Sequence, residues 1–572
     1  MDAGKRTIND IFNGNRILEI PFFQRAYVWG ETQWDRLLDD METVTTRNKP
    51  YFMGSVILKQ QNTPAKGGVG DIRTLIDGQQ RLTSLNIFFK VLCLKSKMNS
   101  SFERRFKLEN GELALWHNHN DIESFQKILN LEEMEELEDL DNIHKAYNYF
   151  KKNVDIKKLD RQKILNNIMF VGIDLGVKED EQQIFDTINS LGVRLTTAEL
   201  LKNYFFNRNG LKEYKKYWKD IFEISDDIKN YWDKEITTGG RKRTFIDIFF
   251  YSYLQIKIQE NDINVKAEDK VEFSKLEILF ESYKKLIKDY NLDKKKLLKE
   301  IKIYADIFYA NFNLEIVEQE LTPQYGIDRI NAIIFGLENS TLISYVLYIL
   351  KNVTSKQVRN ELFEFLESYI LRRMVVRATT KNYTKLFADS LIANKILTKK
   401  AFQDYLRSRS DKSNYFPNDE DLKNGFNSSP LTNKKSKGVI YMIESRTRNR
   451  KKHGTSLLGI NKYSLEHLMP KKWENKWSNI STKEEKDFRN FKLKTLGNLA
   501  IITQSLNASI RDSDWDTKKQ GNGKRLGLES YSAGIETLSP FLKLEEWNEI
   551  EIQKRADYLF GKAKEIWKSD DL

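Results

Sequence analysis

The sequence predicts a multidomain α+β protein, and three observations predict it. The first 205 or so residues mix short apolar strands with amphipathic helices, and residues 206–405 carry apolar side chains at helical spacing with Pro323 as the only proline. A polar stretch follows, and beyond it a shorter α/β-like region runs to the C-terminus. The expected divisions are a mixed N-terminal domain (1–205), an all-helical middle domain (206–405), a flexible linker (406–440) and a C-terminal domain (441–572). A chain of 572 residues leads one to expect roughly three or four domains at about 150 residues each.

In chain order, "ETQWDRLLDDMETV" and "QQRLTSLNIFFKVL" read as helices, and "YFMGSVILKQ" and "KILNNIMFVGIDL" as strands. "QNTPAKGGVGD" between them reads as a loop from its Gly and Pro content. The middle region holds the helical runs "KLEILFESYKKLIKDY", "KKLLKEIKIYADIFYANF" and "QVRNELFEFLESYILRRMVVR". A composition of 40% hydrophobic and 12% aromatic residues excludes a disordered or fibrous chain. The net charge of +12 suits polyanion binding only in part, since a lysine-rich proteome accounts for it equally well. The single cysteine, Cys93, excludes an internal disulfide framework and a CxxC zinc site, and its apolar surroundings mark it as core. The absence of an apolar leader and of any run of about 18 apolar residues points to a cytoplasmic protein with no membrane partner.

Four stretches of the first domain embed polar side chains at turns between apolar runs: "IPFFQRAYVW", "FMGSVIL", "LIDGQQRLTSL" and "FDTINSLGVRLTTAELLKN". None is a P-loop. In the third, Gly78 permits close backbone approach, and the helix starting near Gln80 offers free amide groups and a positive dipole end. Arg81 can grip phosphate oxygens, Asp77 can hold a cation or orient a water, and Gln79 and Gln80 can position a water or read a base. These are the parts phosphoryl transfer needs, although a β-turn–helix junction whose amides satisfy local backbone accounts for the residues equally well.

The four motifs, in this order, resemble the DUF262 family, whose ParB/Srx-like α/β domain binds and hydrolyses nucleoside triphosphates with DGQQR as its signature. The resemblance implies nucleotide handling by Asp77, Gly78, Gln79, Gln80 and Arg81, with Gln24 and Arg25 flanking the pocket and Asn189 and Arg194 as further candidates. It leaves Tyr27 and Trp29 either as core aromatics or as a surface that recognises modified DNA.

In the last 130 or so residues, "YSLEHLMPKKW" is followed by "LGNLAIITQSLN" and "DSDWDTKK". The order acidic-His, Pro, Asn, Asn resembles the HNH (ββα-metal) pattern carried by the DUF1524 family. In that pattern His467 serves as the base that deprotonates water, and its ordinary pKa of about 6.5 leaves it neutral at cellular pH. Glu466 and Asn507 offer hard oxygens for magnesium or manganese, and Asn498 ties down the loop carrying His467. Glu466 stands where many HNH proteins carry Asp, and sharing of the metal by Asp512, Asp514 or Asp516 stays open. Arg448, Arg450, Lys451 and Lys452 in the basic run before the motif, and Lys518 and Lys519 after it, are either phosphate contacts or solvated faces. His117 and His119 lack carboxylates at metal spacing and read as structural or surface residues.

The two resemblances in one chain imply a GmrSD-type modification-dependent (type IV) restriction enzyme or related phage-defence nuclease. The expected function is nucleotide-regulated, metal-dependent cleavage or nicking of DNA, with GTP the foremost nucleotide and modified phage DNA the foremost substrate. The alternatives are a nucleotide-dependent DNA sensor without cleavage and an RNA-directed HNH toxin. Oligomeric state stays open, a dimer included.

Overall fold

The computed structural model describes residues 2–13, 16–21, 24, 26–61, 71–177, 197–206, 210–260, 263–409, 412–448, 457–477, 480–523, 525–531 and 535–569. The chain divides into two compact units, Met1–Lys219 and Asp220–Leu572, so the helical middle and the C-terminal region lie in the same unit.

The first unit is built on a mixed six-stranded sheet. Its strands are β1 (Asp2–Thr7), β2 (Ile17–Glu19), β3 (Tyr51–Gln60), β4 (Ile72–Asp77), β5 (Leu115–Trp116) and β6 (Ile168–Leu175), in the order β1-β6-β3-β4-β2-β5. The expected strand "KILNNIMFVGIDL" is split. Asp160 caps Gln162 N and Lys163 N, so residues Arg161–Asn167 form a helix, and the strand begins at Ile168. The loop expected at 62–70 lies outside the described residues. Helix α1 (Glu31–Arg47) buries Trp34, Leu37, Leu38, Met41 and Val44 at helical spacing. Helix α2 (Gln79–Lys95) is buried nearly all round, from Leu82 through Leu94, and forms the centre of the core with Phe88, Phe89, Phe102, Phe106 and Phe150. Cys93 is buried there, as expected.

His117 is a core residue beside this helix. Thr83 Oγ1 lies 2.8 Å from the Gln79 carbonyl oxygen and 2.9 Å from His117 Nε2, and His117 Nδ1 lies 3.5 Å from Asp121 Oδ2. Burial pushes the imidazole pKa down to about 3. The unfolded chain therefore binds a proton that the folded one refuses between about pH 6.5 and 3, and stability falls as pH falls through that window. Denaturant midpoints measured at pH 7 and pH 5 should fall more steeply for the wild type than for His117→Gln. Equal slopes would mean that His117 does not carry this proton linkage.

The second unit is mainly helical in its first part, with one antiparallel hairpin, β7 (Glu235–Thr238) and β8 (Arg241–Thr244), paired Thr238↔Arg241 at the turn. Helix α3 (Lys356–Val375) runs through its core, buried from Leu362 onward save Glu364. The stretch expected to be a flexible linker carries two helices, α4 (Asp419–Ser428) and α5 (Asn433–Thr447). An Asn418–Asp421 capping box starts the first, and Leu422 and Phe426 bury one face of it. The second buries Val439 through Ser445 without a break. Strands β9 (Tyr463–His467) and β10 (Leu499–Thr503) then pair antiparallel, followed by helices α6 (Gln504–Ile510), α7 (Trp515–Gln520) and α8 (Glu549–Ile566).

Candidate functional site

Two polar clusters stand out, one in each unit. In the first, the sheet sets the geometry. The β3–β6 register shifts between Phe52 and Ser55, and the β3–β4 register shifts between Ile57 and Leu58. Gly54 adopts φ +111°, and a Cβ there would meet Arg81 Nη1 at 2.9 Å. Gly78 adopts φ +105° at the start of α2, where a Cβ would meet Val56 Cγ2 at 3.0 Å. Only glycine fits either place without strain. Asp77, at the end of β4, accepts from Ser55 Oγ at 2.6 Å and from Arg81 Nη2 at 3.0 Å, and the same Nη2 donates to the Ser55 carbonyl at 2.7 Å. Gln80 Oε1 accepts from Val28 N at 2.8 Å and Trp29 N at 3.3 Å, which fastens the "QRAYVW" segment to the helix start. Gln24, buried, accepts from Asn203 Nδ2 at 3.3 Å. Three buried polar atoms in these residues lack a partner: Gln80 Nε2, Arg81 Nε and Asn203 Oδ1. A buried polar atom without a partner is costly, and two such donors on the adjacent residues Gln80 and Arg81 need an explanation such as a ligand.

In the second unit, β9 places Glu466 opposite Ala500 and His467 opposite Leu499. Successive strand residues face opposite sides. Glu466 accordingly faces inward, only 6% exposed, while His467 is partly exposed. The His467 ring makes no hydrogen bond to a described residue, and burial holds its pKa down at about 4, with the Lys471 and Lys518 charges adding to the effect. The imidazole is therefore neutral at pH 7, its lone pair ready to take a proton. Asn498 is wholly buried. Its Oδ1 accepts from Met469 N at 2.8 Å and Trp547 Nε1 at 3.0 Å, and its Nδ2 donates to the Met469 and Leu493 carbonyls. These bonds pin the turn just after His467. Asn507, on α6, donates to the Leu465 carbonyl at 3.2 Å and so ties the helix to β9.

A model described as "GmrSD restriction endonuclease, N-terminal domain" matches residues 8–206, and one described as "GmrSD restriction endonucleases, C-terminal domain" matches residues 416–562. The chain belongs to the GmrSD restriction endonuclease family. No curated protein matches it. Membership makes it a nuclease in phage defence with DNA as partner, and each of its two family domains contains one of the polar clusters. Among the described residues no helix is long and apolar enough to cross a membrane.

Several expectations for this GmrSD chain change at the level of residues. Tyr27 is 2% exposed, bonded to Ser84 Oγ at 2.6 Å and Trp34 Nε1 at 2.7 Å, so it is a core aromatic and offers DNA no surface. Trp29 packs partly buried against the same core. Lys518 and Lys519, expected as phosphate contacts or a solvated face, are both buried. Lys518 pairs with Glu466 and donates to the His467 carbonyl at 2.7 Å, and Lys519 donates to the Leu544 carbonyl at 2.9 Å. An ammonium held this way has no open side for phosphate. Arg448 lies at the end of α5, its N–H donated to the Glu444 carbonyl at 3.0 Å. Arg25, Asn189, Arg194, Arg450, Lys451 and Lys452 lie outside the described residues.

For the divalent cation that the HNH resemblance implies, Glu466 does not fit. Its carboxylate is already neutralised by a buried ammonium, and among the described residues no three His, Cys, Asp or Glu side chains gather to hold an ion. Of the three aspartates left open, Asp514 caps α7 through Thr517 and Asp516 pairs with Lys519 at 3.2 Å. Asp512 is exposed, and its charge acts on Glu466, His467 and Lys518 together. Ser55, Asn203 and Lys471 are not marked by spacing or residue type, although each lies within one of the quoted motifs.

Proposed function

We propose that the chain is a nucleotide-responsive DNA endonuclease in which the C-terminal cluster cuts and the N-terminal cluster binds and hydrolyses a nucleoside triphosphate. The observation that carries the cutting role is His467: a neutral, partly exposed imidazole with no competing hydrogen bond, next to a turn pinned by Asn498. His467 takes a proton from water, the resulting hydroxide attacks phosphorus, the P–O bond to the leaving oxygen breaks, and that oxygen, carrying the bond's electron pair, takes a proton from solvent. Lys471 is exposed and close enough for its charge to act on the imidazole, which suits it to hold a phosphate oxygen of the bound strand. The antiparallel pairing of β9 with β10, with α6 directly after β10 and tied back to β9 through Asn507, supports a ββα-type nuclease centre.

The nucleotide role rests on the unpartnered Gln80 Nε2 and Arg81 Nε at the start of a 17-residue helix, where backbone amides and the dipole favour an anion. Arg81→Ala is expected to lower kcat/KM for GTP hydrolysis by at least about 100-fold, the usual loss when a preorganised donor to a transferring phosphoryl group is removed. DNA cleavage in the absence of nucleotide should stay at the wild-type level. Unchanged hydrolysis in Arg81→Ala would remove the N-terminal cluster from nucleotide chemistry. The parent experiment is a substrate panel of modified phage DNA, unmodified plasmid and total RNA, each with and without GTP and magnesium or manganese. Cleavage of RNA alone would overturn the DNA reading.

A further inference from the structure

The Glu466–Lys518 pair is buried. Lys518 is 0% exposed and Glu466 6%, and the ammonium touches the Glu466 carboxylate and the His467 carbonyl at once. One cation therefore bridges a side chain and the backbone of the very next residue, across 52 positions of sequence. The carboxylate is turned away from the face of β9 that presents His467, since successive strand residues alternate. Removing an ammonium from such a site would leave a buried charge without a partner, which is among the most expensive changes a fold can suffer. Lys518 holds Glu466 Oε1, so a divalent cation would find only the second oxygen of a carboxylate whose charge is already matched.

We propose that Lys518 is a positioning residue of the cleavage centre and Glu466 its anchor, so that Glu466 is not a metal ligand: the pair fixes the end of β9 and with it the His467 ring. The proposal rests on the reading of the C-terminal cluster as the cutting centre. It separates the adjacent residues of the "EH" motif into two tasks. His467 meets the substrate, and Glu466 holds the lysine that holds His467 in place. The geometry gives Lys518 two bonds that a purely structural ion pair would not need, because the second goes to the backbone of the catalytic residue itself.

The test uses the full chain in four forms: wild type, Glu466→Gln, Lys518→Met and the double variant, which removes both charges and so keeps the site neutral. Mn²⁺ binding is read by electron paramagnetic resonance and plasmid cleavage by rate, with thermal melting as the check on folding. We expect Glu466→Gln to change Mn²⁺ affinity less than about twofold, whereas loss of a residue that supports a metal costs about 10–100-fold. Both the single and the double variants should lose cleavage through kcat with KM retained, on the order of 100-fold, as for a reacting group displaced by about 1 Å. The double variant should melt closer to wild type than either single variant. A tenfold or larger loss of Mn²⁺ affinity in Glu466→Gln overturns the proposal. So does a folded double variant that cuts at the wild-type rate. Wild-type cleavage without bound Mn²⁺ supports it, since Glu466 then serves no metal. A wild type that neither cuts nor binds Mn²⁺ fails the nuclease reading first, and the role of Lys518 falls with it. Wild-type cutting accompanied by Mn²⁺ loss in Glu466→Gln fails the inference alone.

Discussion

His467→Ala is expected to abolish DNA cleavage while leaving the fold and GTP hydrolysis at the wild-type level. A positioned general base contributes about 10²–10⁴-fold, so the rate should drop by at least that factor. The structure makes the loss specific. The His467 ring bonds to no described residue, so truncation leaves no partner stranded, and the bonds that shape the turn run through Asn498 and Lys518 instead. Melting temperature should therefore scarcely move. The pH profile offers a second reading of the same residue. An imidazole of ordinary pKa would lose its base function below about pH 6.5, but this one is held down at about 4 by burial and two lysines. The neutral base persists as pH falls, so kcat/KM on the acid side should stay level to about pH 5 and decline only as His467 is protonated near 4. Added imidazole should restore part of the activity of the variant. Cleavage by His467→Ala at the wild-type rate would end the assignment, and an acid limb centred near pH 6.5 would show that the ring is solvated when DNA is bound.

What could be seen in the sequence and what could not divide along a physical line. Turn chemistry and alternation are local, so Asp77-Gly78, the entry into α2 and strand β3 were legible. The polar segment 406–440 misled because Asn, Asp and Ser are shared by loops and by helix caps. Asn418 and Thr432 stand at helix starts, and the helix from Asp419 buries only Leu422, Gly425 and Phe426. Charged residues hid the most. Lys518, expected as a phosphate contact or a solvated face, is buried, as are Arg329, Glu367, Glu444 and Arg555, each matched to a partner from far along the chain. A pairing of that kind has no period and no spacing to betray it. Asn203 and Ser55 are a middle case: both lie within the polar-turn motifs, but only tertiary hydrogen bonds show their partners, Gln24 and Asp77.

The largest loss of stability is expected at Arg329 and Glu367. Their pair is bidentate, with Arg329 Nε and Nη2 on the Glu367 oxygens at 2.8 and 2.6 Å, and the two residues are 0% exposed. Arg329 Nη1 also donates to Ser445 Oγ at 2.8 Å, and Trp567 Nε1 donates to Glu367 Oε1 at 3.3 Å, so the pair joins α3, α5 and the end of the chain. Deleting one partner strands the other charge in the core, at a cost of about 3–5 kcal/mol, whereas replacing both by apolar groups of similar volume is often neutral. Arg329→Met and Glu367→Leu should each destabilise the second unit by about that amount, and the double variant by much less than the sum. Because the chain has two compact units, global melting alone would blur the result; amide exchange along α3 reads the second unit directly. The nearby polar chain runs on toward β10, with Glu444 accepting from Thr537 N at 2.9 Å, the Thr537 carbonyl accepting from Arg555 Nε at 2.9 Å, and Arg555 Nη1 donating to the Leu499 carbonyl at 2.6 Å. No atom of Arg329 or Glu367 touches His467 or Lys518 in that chain, so cleavage per folded molecule should stay within about twofold of wild type, a loss of roughly 0.4 kcal/mol at most. Single variants that cost less than about 1 kcal/mol would mean the pair is solvated, as surface pairs are. A double variant as unstable as the sum of the two would show that the arginine and the carboxylate act through separate contacts and not through each other.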